Sequence, residues 1–169
     1  MIEPPPVLVV MGVAGAGKTT IARAVAARLS WEFLDGDDLH PAANVAKMKR
    51  GQPLDDADRA SWLALIAGWI DEQASTGHAG VVACSALKRR YREVLAGGRP
   101  YVRIVYVEGA RELIAERIAV RDHAYFPASL LDSQFEALEP PSPEENPIVV
   151  NASQSLEEQV SEVAAALGA

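Results

Sequence analysis

Cysteine occurs once, at Cys84, so no intrachain disulfide can form and a reducing compartment is the natural setting. No apolar run approaches the roughly 20 residues needed to cross a bilayer. Met1 to Pro6 lacks the basic region and long apolar run of a signal peptide, so the chain is expected to be cytoplasmic. An excess of positive charge is missing too. The net charge of −7 argues against a general affinity for nucleic acid or anionic lipid, although local basic clusters can still hold a small anion. Internal repeats, linkers and low-complexity tracts are absent, and 169 residues suffice for one domain with a sizeable core.

What is present alternates between two kinds of segment. Val7 to Met11 is a short unbroken apolar run, as a strand buried on both faces requires. A helical pattern follows, with Ile21, Val25 and Leu29 four apart. Trp31 to Leu34, Gly80 to Cys84, Val102 to Val107 and Ile148 to Val150 supply four more strands. Helices are expected through Lys47, from Asp55 as N-cap to about Glu72, and over 86–95, 110–120, 129–138 and 155–167. Trp62, Leu65, Ile66, Trp69 and Ile70 form the apolar face of the second of these. Strand alternating with helix predicts an α/β fold, a five-stranded parallel sheet covered by helices on both faces.

Gly12-Val13-Ala14-Gly15-Ala16-Gly17-Lys18-Thr19 fits G-x-x-x-x-G-K-[ST] in full, directly between a strand and a helix. Glycines let successive backbone N–H groups turn inward on phosphate oxygens, and the next helix offers its positive end. Gly12, Gly15, Ala16, Gly17 and Thr20 would then surround the phosphates of ATP. Lys18 would reach the β- and γ-phosphates, and the Thr19 hydroxyl would bind Mg²⁺. A chance match in a chain this long stays below about 1%. The N-K-x-D and D-x-x-G of GTPase switches do not occur, which favours a compact kinase acting on a small acceptor.

Asp35-Gly36-Asp37-Asp38-Leu39-His40-Pro41 falls at the carboxyl end of the second strand, the edge where open parallel sheets bind ligands. Phosphoryl transfer to an alcohol needs one carboxylate for the hydroxyl proton and an acid near the metal, tasks that Asp35 and Asp37 can divide. Asp38 reads as a solvated cap. His40 either contacts substrate or braces the loop. Ser85 either orders magnesium-bound water or N-caps the helix after it. Lys88 and Arg92, four apart, are placed to meet an anion, whereas Arg90 reads as solvated. Arg59 either clamps a substrate carboxylate or pairs with Asp55 within its own helix. Arg117 and Arg121 precede a Pro-containing polar segment that suits a lid over about 121–141. One guanidinium would stack on adenine and the other bridge the transferring phosphate.

Several longer strings resemble gluconokinases. They are Phe33 to Pro41, then Asn44, Lys47 and Met48, Gly51 to Arg59 with Trp62-Leu63, Cys84 to Arg92, and Leu130 to Phe135 with Leu138-Glu139. The resemblance runs from the phosphate loop to about Pro141. It implies transfer from ATP to the 6-hydroxyl of D-gluconate and a lidded fold similar to adenylate and shikimate kinases. By position it implies Asp37 at the acceptor hydroxyl, Asp35 near the metal through water, Arg59 on the substrate carboxylate, Gln134 on the substrate, and often a homodimer. Arg121-Asp122-His123-Ala124-Tyr125-Phe126 departs from the family pattern by displacing the histidine one place, so His123 receives no lid role. The rival readings are a shikimate or nucleoside-monophosphate kinase of the same fold, and a nucleotide-dependent regulatory module.

Overall fold

The computed structural model describes residues 4–121 and 128–168. Five parallel strands form one sheet in the order β2-β3-β1-β4-β5: β1 Val7–Met11, β2 Glu32–Asp35, β3 Gly80–Ala83, β4 Val102–Glu108 and β5 Ile148–Asn151. The helices are α1 Lys18–Leu29, α2 Ala42–Lys49, α3 Asp56–Thr76, α4 Arg89–Ala96, α5 Arg111–Arg121, α6 Ala128–Ala137 and α7 Leu156–Ala166. The expected α/β class and strand count agree with this architecture.

β1 lies at the centre, in register with β3 (Val7 opposite Gly80) and β4 (Val7 opposite Val102). Its residues alternate between two cores, as period-2 side chains must. Leu8 and Val10 join Ile21 and Val25 of α1 and Val160 and Val163 of α7. Val7, Val9 and Met11 join Trp62, Leu63, Ile66 and Ile70 of α3 and Leu95 of α4. From β1 the chain leaves through α1 to the β2 side, returns to β3, then passes β1 to reach β4 and β5. That reversal opens a crevice at the carboxyl end of β1, where the phosphate loop begins.

Two element boundaries differ from expectation. The helix expected from Ala86 begins at Arg89, because 84–88 remains a loop in which Ala86 has φ +43°. Ser85 therefore caps no helix. The helix expected to stop near Glu72 continues to Thr76, where Gly77 ends it. Its start is as anticipated. Asp55 accepts from the Asp58 N–H at 2.8 Å and Asp58 accepts from the Asp55 N–H at 3.0 Å, a reciprocal capping box.

Candidate active site

β1 delivers the phosphate loop, whose glycine at position 15 has φ +82°. A Cβ there would approach Ile118 Cγ1 of α5 to 2.7 Å, so backbone conformation and close packing both demand glycine. The loop is the wall between two cavities. One, of about 390 Å³, takes Ala14, Lys18 and Thr19 from it; the other, of about 580 Å³, takes Gly15, Ala16, Gly17 and Thr20.

The first cavity gathers Asp35, Asp37, His40, Arg59, Ser85 and Gln134 around Lys18 and Thr19. Asp35 ends β2, and its Oδ1 accepts from the Asp37 N–H at 3.0 Å, capping a 3₁₀ turn over Gly36–Leu39. A Cβ on Gly36 would lie 2.5 Å from the Ala83 carbonyl oxygen of β3, so only glycine lets the turn sit against the sheet. The Gly36 carbonyl accepts from Trp62 Nε1 at 2.7 Å, which ties the turn to α3.

The Asp37 side chain is 81% exposed on the open side of the cavity. Desolvation by the surrounding protein, and then the Asp35 charge, push its pKa above the ordinary aspartate value against the pull of Lys18; at this exposure water damps the effect. Burial lowers the Lys18 pKa, opposed first by Asp37, and its Nζ donates to the Val13 carbonyl at 3.1 Å. His40 stacks on Trp62 with ring centres 4.3 Å apart and planes 12° from parallel. Burial holds its pKa down against the Asp37 charge, favouring the neutral ring. Cys84 also borders the cavity, but burial pushes its thiol up to about 12 and leaves no thiolate to act as nucleophile.

Arg59 projects from the first turn of α3, with its guanidinium carbon 5.8 Å from the centre of the Tyr91 ring. It does not pair with Asp55, which caps the helix and lies 3.7 Å from Lys47. Among the described residues Arg59 has no carboxylate partner, so its charge stays available to the cavity. Gln134 of α6 reaches back to the phosphate loop, where its Oε1 accepts from the Ala14 N–H at 3.0 Å.

Lys88 and Arg92 are not brought into this cavity. Lys88 precedes α4 with its ammonium 3.8 Å from Asp56. The Arg92 side chain is 2% exposed and grips Glu145 with Nε at 2.7 Å and a second nitrogen at 3.2 Å. Its remaining nitrogen donates to the Ala86 and Leu87 carbonyls at 2.9 and 3.2 Å. The Arg92 guanidinium thus fastens the 84–88 loop to the segment before β5. Arg90, expected in solvent, bonds Asp56 at 2.5 Å and remains half exposed.

The second cavity is bounded by Arg117 and Leu113 of α5, by Gln154 in the turn before α7 and by Gln159 in its first turn. The side chain of Arg121, the residue His123 and part of the expected lid lie outside the described residues. Two contributors were not singled out as site residues from the sequence. Trp62 read as helix core, and nothing local announces that its indole N–H holds the aspartate turn. Asn44, 2% exposed, bonds both His40 and the Asp58 carbonyl; its signals were its place in the gluconokinase-like strings and its polarity among apolar neighbours, neither of which gave it a role.

The AAA domain family matches residues 7–141. A gluconokinase of Gluconobacter oxydans is 51% identical over 147 residues, covering 87% of this chain and 83% of the relative. The chain belongs to the gluconokinase family. The thermosensitive gluconokinase of Escherichia coli K12 is 45% identical over 83% of this chain and 75% of its own length. The crystal structure of a gluconokinase from Sinorhizobium meliloti superposes with a TM-score of 0.87 at 40% identity, covering 99% of this chain and 94% of that one. At 18% identity and a TM-score of 0.62, a Bacteroides thetaiotaomicron shikimate kinase shares the fold alone, over 97% of this chain and 99% of that one.

Proposed function

We propose that this chain transfers the γ-phosphoryl group of ATP to the 6-hydroxyl of D-gluconate, giving 6-phospho-D-gluconate and ADP. The observation that carries this reading is the first cavity, where Lys18 and Thr19 face Asp35, Asp37 and Arg59, which has no carboxylate partner among the described residues. An anionic polyol fits that set of charges. The second cavity, across the phosphate loop, suits the nucleoside, with Arg117 against the base.

In the proposed mechanism Arg59 pairs with the gluconate carboxylate and fixes which end of the sugar acid enters. Asp37 orients the 6-hydroxyl and accepts its proton as the oxygen attacks phosphorus. The bond from phosphorus to the β,γ-bridging oxygen breaks, and its electron pair leaves with ADP. Lys18 and amides of the phosphate loop stabilise charge on the transferred group. Positioning supplies much of the catalysis, since no covalent phosphoenzyme is formed. With Arg117 on the base, Arg121 closes over the phosphates and excludes water as a competing acceptor. His40 and Gln134 complete the substrate wall.

The donor set also suits Mg²⁺. Thr19, Asp35 and Ser85 offer hard oxygen ligands on one cavity, and Mg²⁺ needs few protein ligands when phosphates and water complete its shell. Thr19 would hold the ion directly, with Asp35 and Ser85 through water, and it would supply charge neutralisation to the phosphates. We further propose a cytoplasmic enzyme of one domain over 1–169, with no nucleic-acid or membrane partner; no described helix is long and apolar enough to cross a membrane. Assembly as a homodimer rests on the family resemblance alone.

ADP release with Mg-ATP against D-gluconate, shikimate, AMP and no acceptor tests the proposal. Release confined to gluconate is expected. Turnover of another acceptor alone would overturn the substrate, and silence with all four would overturn the kinase reading.

A further inference from the structure

Asn44 is among the few buried polar side chains, and the mechanism above assigns it no task. Chemistry sets the orientation of its amide. The Asp58 carbonyl oxygen can only accept, so Nδ2 of Asn44, 3.0 Å away, must face it with one hydrogen. The same nitrogen lies 3.3 Å from His40 Nδ1 and directs its second hydrogen there. A donor facing Nδ1 requires that nitrogen to be unprotonated, so the neutral ring carries its proton on Nε2. Nε2 is the nitrogen on the Asp37 side, 3.9 Å from Oδ1. A ring turned by 180° would keep its stack on Trp62 but place Cδ2 instead of Nδ1 against the Asn44 amide, so the hydrogen bond from Asn44 selects the orientation shown.

We propose that Asn44 is a positioning residue that fixes His40 as the Nε2–H tautomer and so makes it a hydrogen-bond donor to Asp37. The opposite tautomer would set an N–H against the Asn44 amide hydrogens and a lone pair against the Asp37 carboxylate. Both encounters are repulsive, and the imidazolium would suffer the first. A separation of 3.9 Å is too long for a direct hydrogen bond. The Asp37 carboxylate is largely in solvent, so a rotation suffices to bring one oxygen to Nε2–H. Holding one oxygen this way leaves the other directed at the acceptor hydroxyl. The charged groups facing His40 are Asp37 from its own turn and Arg59 from α3, and Asn44 is its contact from α2. The consequence for turnover rests on the kinase reading; the tautomer does not.

Long-range ¹H–¹⁵N NMR of the imidazoles in the free protein reads the tautomer, and His40→Gln identifies the His40 signal among the chain's three histidines. A neutral Nε2–H ring is expected, and Asn44→Ala should abolish that preference. In turnover with Mg-ATP and gluconate, Asn44→Ala should lower kcat about tenfold with KM for ATP unchanged, the behaviour of a group acting through another. His40→Gln, which keeps an amide near the Nε2 position, should retain more kcat than His40→Asn, whose amide falls near Nδ1. An Nδ1–H signal for His40 would overturn the proposal. So would a wild-type tautomer and kcat in Asn44→Ala. Should that variant fail to fold, the wild-type spectrum and the order of the two His40 variants decide. An Nε2–H signal in a protein without gluconate turnover would uphold the tautomer and remove the substrate reading instead.

Discussion

The cavities proposed for the acceptor and for the nucleoside share a wall, the phosphate loop, but are built by different means. The acceptor pocket is assembled from side chains that hold one another: Asp35 caps the Asp37 turn, Trp62 ties that turn to α3, and Asn44 ties His40 to the capping region of α3. The nucleoside cleft draws on backbone of residues 15–17, on Arg117, and on glutamines whose amides already serve the protein. Gln159 donates to the Asn151 carbonyl at 2.9 Å, and Gln154 bonds the Asn151 N–H and Glu162. On the proposed reading, discrimination between acceptors would reside in a supported polar network, and nucleotide binding in the backbone conformation of the phosphate loop.

The sharpest way to separate the two regions is Asp37→Asn. It should lower kcat by about 10²–10⁴-fold, the usual contribution of a positioned general base, while isothermal titration finds ATP binding intact. The same carboxylate should govern the acid side of the pH profile. Its pKa is raised by desolvation and then by Asp35, and in the proposed mechanism the ionised form is the active one. The acid limb of kcat/KM for gluconate should therefore fall above the ordinary carboxylate range, and Asp35→Asn should move it to lower pH.

Arg92→Leu probes what lies beneath the acceptor side. It removes the charged partner of Glu145, leaving that carboxylate only the Ser142 N–H and hydroxyl, and should destabilise the fold by about 3 kcal/mol in urea denaturation. Burial pushes the Glu145 pKa up, but the Arg92 hydrogen bond and the Ser142 amide outweigh it and hold the carboxyl below its ordinary value. The sign follows: the stabilisation is present above the unfolded pKa and disappears as pH falls through the lower folded one. KM for gluconate should stay unchanged in folded protein; a selective rise would return Arg92 to the substrate. Arg59→Leu should raise KM for gluconate by roughly 30-fold, or about 2 kcal/mol for a charge-assisted pair, with KM for ATP unmoved. Smallest is Arg117→Ala, expected to weaken ATP by about 1 kcal/mol through loss of stacking on the base, without effect on gluconate.

The same contrast explains what was legible in the sequence. The phosphate loop is contiguous, and its mechanism restricts residue type at fixed spacing, so Gly12 to Thr19 stood out alone. The sheet was legible because parallel strands buried on both faces are unbroken apolar runs. Lys88 and Arg92 misled because helical spacing says which residues share a face and nothing of what that face meets. The partner of Arg92 is Glu145, 53 positions away, and no local pattern links them. Trp62 was hidden for a related reason: an apolar ring on a helix face reads as core, while its single N–H does the positioning.

Cys84, the chain's one thiol, is 1% exposed at the end of β3, beside the acceptor pocket. Its inertness in the native fold turns it into a built-in reporter. A maleimide reaches this sulfur only when the packing around the carboxyl end of β3 opens, so the labelling rate of the untouched protein measures how often that edge of the pocket breathes. Ligands that hold the edge shut would slow the rate by mass action, revealing occupancy without any engineered probe.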